Sequence, residues 1–169
     1  NTAVHILDLG TGSGAIAVTL AAELPHSHIT AVDKSAAALA IAKKNAQLNG
    51  TADIHFIQSD WFSHIPDQKF DFIVSNPPYI DAADPHLQQG DIRFEPDSAL
   101  IAAQKGLQDI MHIAQAAQAY LNPKAYLILE HGYDQQIAVH TILNEQHYSN
   151  IHCLHDLAGQ PRITYAQYK

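Results

Sequence analysis

Ser75-Asn76-Pro77-Pro78-Tyr79 carries the most specific chemistry in the chain. Two consecutive prolines fix two φ angles, restrict Asn76 to extended backbone and remove two N–H donors. What is left is a rigid turn rich in acceptors, the Asn76 side-chain carbonyl and the Pro77 backbone carbonyl, with the planar Tyr79 ring beside them. Such a turn suits a flat group bearing –NH2: the two acceptors take its two hydrogens and the ring stacks on its face. An amide or aromatic amine nitrogen is a poor nucleophile because its lone pair is delocalised. Hydrogen bonds from both of its protons to fixed carbonyls favour the pyramidal, partly positive nitrogen that forms during attack. Alignment with an electrophile adds the proximity term, and no strong general base is needed.

A second constellation is Asp8-Leu9-Gly10-Thr11-Gly12-Ser13-Gly14-Ala15. Glycines serve where backbone turns with positive φ or lets a ligand approach closely. Free N–H groups at the start of a following helix then face that ligand. Nineteen residues beyond Gly14, at the end of the next strand pattern, Asp33 is placed to accept both hydroxyls of a ribose. The spacing Gly10-x-Gly12-x-x-Ala15 fits a dinucleotide fingerprint and equally, with Gly14, the Asp-x-Gly-x-Gly-x-Gly pattern of S-adenosylmethionine (SAM) domains. Further on, Ser59-Asp60-Trp61-Phe62 places Asp60 to accept from an adenine amino group and Trp61 to pack on the ring. A nicotinamide oxidoreductase has no use for an amine-holding turn. The two constellations together favour transfer of a sulfonium methyl to an amino nitrogen.

These groups need elements to position them. Apolar runs at residues 4–9, 28–33, 53–58, 70–75 and 125–130 read as strands. Between them, 14–24, a stretch from the Ser35 N-cap to about residue 48, 105–121 (stopped by Pro123) and 134–147 read as helices. Asn49-Gly50 ends the second helix. Residues 76–104 read as a long irregular loop, and such loops in compact domains are usually functional. Strands at 150–154 and 162–168, joined by a turn at Gly159-Gln160-Pro161, close the pattern as an antiparallel hairpin. Strand–helix alternation predicts right-handed crossovers and a mostly parallel, Rossmann-like seven-stranded α/β sheet covered on both faces. The amine-holding turn and Asp33 both fall at carboxyl ends of strands, where such sheets bind ligands.

Composition narrows the field. Residues 1–169 suffice for one domain, with 47% hydrophobic and 15% charged residues. Nine basic against seventeen acidic residues give a net charge of −8, which argues against a counterion-releasing grip on nucleic acid. No apolar run approaches the ~20 residues of a membrane span, so a cytoplasmic protein is expected. The single cysteine, Cys153, excludes an internal disulfide. Twelve histidines invite a metal reading, but none lies in a H-E-x-x-H pattern and His152, Cys153 and His155 crowd one strand, so no metal is expected. Glu130-His131-Gly132 reads either as an acid–base pair or, more simply, as structural support at a strand end. Ile110, Ile113, Ala114 and Ala117 read as the core face of a helix.

On residues 6–14, 31–33, 58–62, 73–80, 84–87, 93–96, 127–132 and 156–162, the chain resembles the catalytic domain of the HemK/PrmC-type protein-(glutamine-N5) methyltransferases, the release factor glutamine methyltransferases. The likeness covers essentially the whole chain. The Asn-Pro-Pro-Tyr tetrapeptide is shared with adenine-N6 methyltransferases, which leaves adenine-N6 methylation of nucleic acid as the alternative. Arg93-Phe94-Glu95-Pro96 and the closing Asp156–Arg162 segment point to the glutamine branch. The resemblance implies a class I SAM-dependent methyltransferase fold, with SAM as donor and S-adenosylhomocysteine as product. It implies that Gly10, Thr11, Gly12, Ser13, Gly14, Asp33, Trp61 and Asn76 hold SAM. Asn76, Pro77, Pro78 and Tyr79 would hold the glutamine of a peptide-chain release factor. The family also carries an N-terminal helical docking domain, expected to be absent from this chain.

Overall fold

The computed structural model describes residues 3–78, 80–81, 101–102 and 107–169. Its elements run β1 (His5–Leu9), α1 (Ala15–Glu23), β2 (His28–Asp33), α2 (Ala36–Leu48), β3 (His55–Gln58), β4 (Phe70–Ser75), β5 (Ile80–Asp81), β6 (Ile101–Ala102), α3 (Gln108–Ala117), β7 (Leu121–Glu130), α4 (Gln136–Glu145), β8 (Ser149–His155) and β9 (Pro161–Gln167). Seven strands form one sheet in the order β3-β2-β1-β4-β7-β9-β8, and β5 and β6 pair separately. All pairings from β3 to β7 are parallel, while β9 runs antiparallel to both β7 and β8.

The alternation of the central strands splits the core in two. Leu7, Leu9, Ile73, Leu127 and Leu129 face α3 and α4, where Ile110, Ile113, Val139 and Leu143 cover them. Ile6, Ile29, Ala31 and Val74 face the other way, onto Ala17 and Val18 of α1 and Ala46 of α2. Because side chains alternate along a strand, Asp8 shares the face of Ile6 and lies under α1. Ser35 caps α2 through its side chain, which accepts from the Ala38 N–H at 3.2 Å. Gly50, at φ +70°, ends that helix in the left-handed geometry.

Two boundaries differ from expectation. The helix expected at 105–121 is α3, which ends at Ala117, and the next strand begins at Leu121 rather than at residue 125. Pro123 does not stop the helix; it lies inside β7. Tightened turns end the helix first, with Ala119 N–H donating to Ala116 O and Tyr120 N–H to Ala117 O. Tyr120 O then accepts from Phe70 N–H at 2.8 Å, which commits the chain to the sheet. A proline is tolerated in β7 because the ladder is interrupted there. The register jumps from Phe70 opposite Leu121 to Phe72 opposite Tyr126, and Lys124 is left-handed at φ +66°. The long irregular loop is also bracketed by structure, since Ile80–Asp81 pairs in parallel with Ile101–Ala102.

Candidate active site

Register brings the two constellations together. Leu9 of β1 lies opposite both Val32 of β2 and Ser75 of β4, and Ser75 lies opposite Leu129 of β7. Gly10, Asp33 and Asn76 therefore leave neighbouring strands at one edge of the sheet. The buried Ser75 hydroxyl donates to Leu9 O at 2.8 Å and so ties the start of the Asn-Pro-Pro turn to the start of the glycine turn. Asn76 is exposed, Pro77 buried and Pro78 half-buried. Tyr79 and residues 84–87 and 93–96 lie outside the described residues.

The glycines differ in what each does. Gly10, Gly12 and Gly14 all have positive φ, at +70°, +55° and +85°. A Cβ on Gly12 would meet nothing within 4 Å, so this position faces open space. A Cβ on Gly10 would lie 3.4 Å from the Trp61 ring. At Gly14 it would lie 2.9 Å from Ala42 Cβ and 3.1 Å from Ala42 Cα, so this glycine permits the close approach of α1 and α2. Gly14→Ala is expected to cost about 2 kcal/mol from left-handed strain and overpacking against α2. Equal midpoints for the variant and wild type in urea unfolding would refute this.

Asp33 is already engaged with the turn it faces. Its Oδ2 accepts from Gly12 N–H at 2.9 Å and its Oδ1 from Ser35 N–H at 2.8 Å. Each oxygen keeps a further acceptor site, so ribose hydroxyls remain compatible. Thr11 turns inward, where its hydroxyl donates to Asp8 Oδ2 at 2.6 Å, while Thr11 N–H donates to Val32 O. Ser13 is exposed and its carbonyl accepts from Asn45 Nδ2 at 2.9 Å.

Asp8 is fully buried beneath the turn, and its Oδ1 has no hydrogen-bond partner of ordinary geometry. Burial raises its pKa to about 6, with the Thr11 hydroxyl and the Ala17 amide pulling the other way and the Asp33 charge adding to the rise. The Ala17 amide sits in the first turn of α1, where N–H groups lack helical partners.

On the β3 side, Trp61 packs against the core beside Gly10 with φ +47°, a conformation rare for a bulky residue and worth about 1–3 kcal/mol of strain. Asp60 is exposed, and its carbonyl accepts from the Ser63 hydroxyl at 2.7 Å.

The profile of the family "Methyltransferase small domain" matches residues 1–92, more than half of the sequence. The chain belongs to this methyltransferase family. It is 50% identical over 166 residues to the release factor glutamine methyltransferase of Vibrio cholerae serotype O1, covering 98% of this chain and 58% of that protein. It is 48% identical over 164 residues to the enzyme of the same name from Escherichia coli K12, covering 97% and 59%. The chain thus spans somewhat under three fifths of the length of these curated relatives. Among solved structures, the ribosomal protein L11 methylase of Lactobacillus delbrueckii subsp. bulgaricus superposes with a TM-score of 0.72 at 22% identity, covering 99% of this chain and 71% of that one. The sheet order and the antiparallel β9 are those of a class I SAM-dependent methyltransferase.

Two further polar clusters of the chain support the fold. His131 is fully buried, with Nδ1 2.8 Å from Gly132 O and Nε2 2.8 Å from the Thr164 hydroxyl. A carbonyl only accepts, so Nδ1 carries the proton and Nε2 accepts from Thr164. Burial lowers the His131 pKa and keeps the ring neutral, so it braces β7 against β9 instead of exchanging protons. In the closing segment, Asp156 Oδ1 accepts from Ala158 and Gln160 N–H, each at 2.9 Å, and Arg162 Nε donates to Oδ2 at 3.3 Å. Those bonds hold its carboxyl below the usual range, the Gln160 amide most of all. Asp156 thereby shapes the β8–β9 turn. Among the described residues, no group of three or more His, Cys, Asp or Glu side chains is placed to hold a metal. None of their helices is long and apolar enough to cross a membrane.

Two participants were given no role by the motifs. Ser59 is buried and its hydroxyl donates to Trp61 O, and Asp109, on the first turn of α3, lies within reach of the Trp61 side chain. Only strand packing shows the first, and only the return of α3 to the sheet edge shows the second.

Proposed function

We propose that this chain is the catalytic domain of a release factor glutamine methyltransferase, transferring a methyl group from SAM to the side-chain amide nitrogen of a glutamine in a peptide-chain release factor. The observation that carries the reading is the Ser75–Leu9 tie, which seats the amine-holding turn beside the glycine turn. The relatives bear the same activity in their names over nearly all of this chain. The part of those proteins beyond the matched stretch has room for the helical docking domain that the family resemblance implies. A cytoplasmic location goes with such a substrate.

The residues present fit a cationic adenosyl cofactor. Gly12 opens onto free space, Asp33 keeps acceptor sites, the Trp61 ring lies on Gly10, and the orphaned Asp8 Oδ1 leaves buried negative charge beneath the turn. Gly10 to Gly14, Asp33, Asp60, Trp61 and Asn76 would hold it. When bound, SAM supplies an electrophilic methyl group on a sulfonium sulfur.

The chain's own residues then act on the glutamine. Asn76 Oδ1 and Pro77 O accept the two amide protons, which draws the nitrogen lone pair out of conjugation and aims it. With the donor bound, positive charge would grow on that nitrogen during methyl transfer, and the two carbonyl dipoles, already in place, would stabilise it. One amide proton then leaves to water. Tyr79 and Pro78 would pack on the amide plane.

Asp33→Ala should weaken SAM binding by about 1.5–3 kcal/mol, the range for hydrogen bonds to a charged group, as measured by calorimetry. Unchanged affinity would remove Asp33 from the ribose contact. The reading as a whole is tested by mass spectrometry of a release factor, and in parallel of DNA, after incubation with full-length protein and SAM. Methylation of one glutamine in the release factor is expected; methylated adenine with an unmodified release factor would overturn it.

A further inference from the structure

We propose that Ser59 and Asp109 are positioning residues that hold Trp61 as the wall of the adenine side of the site. The inference rests on the SAM reading above and adds to it the means by which the wall is built. A tryptophan at φ +47° does not keep that conformation by local preference, because its side chain crowds the backbone there. Something must hold it.

Ser59 does so from below. It is 2% exposed, its N–H donates to Asp33 O at 3.0 Å, and its hydroxyl donates to Trp61 O at 2.8 Å. The same hydroxyl accepts from His64 N–H at 3.0 Å. One small side chain thus closes the turn from 59 to 64 and ties it to the residue that faces the ribose position. The turn is further closed by Ser63, whose hydroxyl and N–H both donate to Asp60 O. With the backbone so held, the indole lies with two ring carbons 3.4 and 3.6 Å from where a Gly10 Cβ would stand.

Asp109 acts from above. It stands on the first turn of α3, where the helix dipole favours a carboxylate, with that carboxylate within reach of the Trp61 side chain. Lys34, His112 and Asp60 are the charged and titratable neighbours that act on it. Backbone and ring are therefore fixed from two different elements, the β3–β4 connection and α3. Neither Ser59 nor Asp109 needs to touch the cofactor.

Trp61 is the chain's only tryptophan, so its emission reports on this one ring. The experiment compares wild type with Ser59→Ala, Ser59→Thr, Asp109→Ala and Asp109→Asn. The readouts are emission maximum, acrylamide quenching without ligand, thermal midpoint, and calorimetric affinity for SAM and S-adenosylhomocysteine. Ser59→Ala and Asp109→Ala should shift emission to longer wavelength, raise quenching and weaken both ligands roughly tenfold, the equivalent of one lost hydrogen bond. Ser59→Thr and Asp109→Asn keep the needed hydroxyl or carbonyl and should return towards wild-type emission and affinity. Wild-type emission and quenching in both alanine variants overturns the proposal, even with affinity reduced, because the loss would then be structural. A wild-type protein that binds neither ligand would instead sink the cofactor reading, while the ligand-free quenching comparison still decides the positioning roles.

Discussion

Asn76→Ala is expected to lower single-turnover methylation by roughly 10²–10³-fold, the loss when one preorganised polar group facing developing charge is removed. Its effect falls on turnover more than on cofactor affinity, because the interaction strengthens as the nitrogen becomes pyramidal. The geometry makes the separation clean. Asn76 is exposed at the end of β4, so its truncation opens no cavity, whereas Ser75 and Pro77 on either side are buried and keep the turn in place. Asn76→Asp should also fail: a carboxylate keeps two acceptors but adds a negative charge at the sheet edge where Asp33 already stands and disturbs the turn that aims the amide. The measurement uses full-length protein, saturating SAM and a release factor. Near-normal single-turnover rates in Asn76→Ala would reduce Asn-Pro-Pro to a structural turn.

The second large effect is on stability and belongs to Asp8. Its folded pKa of about 6 lies above the ordinary carboxyl value of 3.8, so the folded state binds its proton more tightly than the unfolded chain does. Between those two values the native protein holds more protons, and stability falls as pH rises. The penalty is complete above about pH 6 and absent well below pH 4. At about 1.4 kcal/mol per pKa unit it amounts to something on the order of 3 kcal/mol. In Asp8→Asn this component is gone, so urea unfolding should show the variant gaining on wild type as pH rises from the ordinary carboxyl value of 3.8 to about 6 and levelling off above it. A constant difference between the two across that window would show that Asp8 does not carry the titration.

Sequence patterning carried most of the scaffold because its signals are local. The glycine turn, the Ser35 cap, the Asn49-Gly50 stop and the double proline each restrict their own backbone, and each stands where its residues require. Pro123 misled for the opposite reason. A proline reads as a helix stop only when the chain around it is helical, and the bulge that shelters it in β7 exists through pairing with β4. The site divides along the same line. Asp33 and Asn76 sit at strand ends that periodicity locates, so their convergence was legible. The division of labour among the glycines was not, since Gly14 answers to Ala42 on another helix and Gly10 to Trp61 on another loop. Asp8 stands in the motif in plain view, yet its missing partner and raised pKa arise only from burial under α1.

The sheet order also sets a sequence of events in folding. β9 follows β8 along the chain but lies between β8 and β7, and β8 has no other neighbour in the sheet. β8 therefore cannot join before β9: either the two strands close on each other and add to β7 as a unit, or β9 pairs with β7 first, and the local hairpin is the faster of the two routes. Hairpin closure takes on the order of microseconds, while adding a preformed ribbon to an open edge is a non-local, slower event. Asp156, which ties the turn of that ribbon, belongs by this logic to the folding transition state, and its φ-value should sit near the top of the scale, while residues of the β3 edge sit lower.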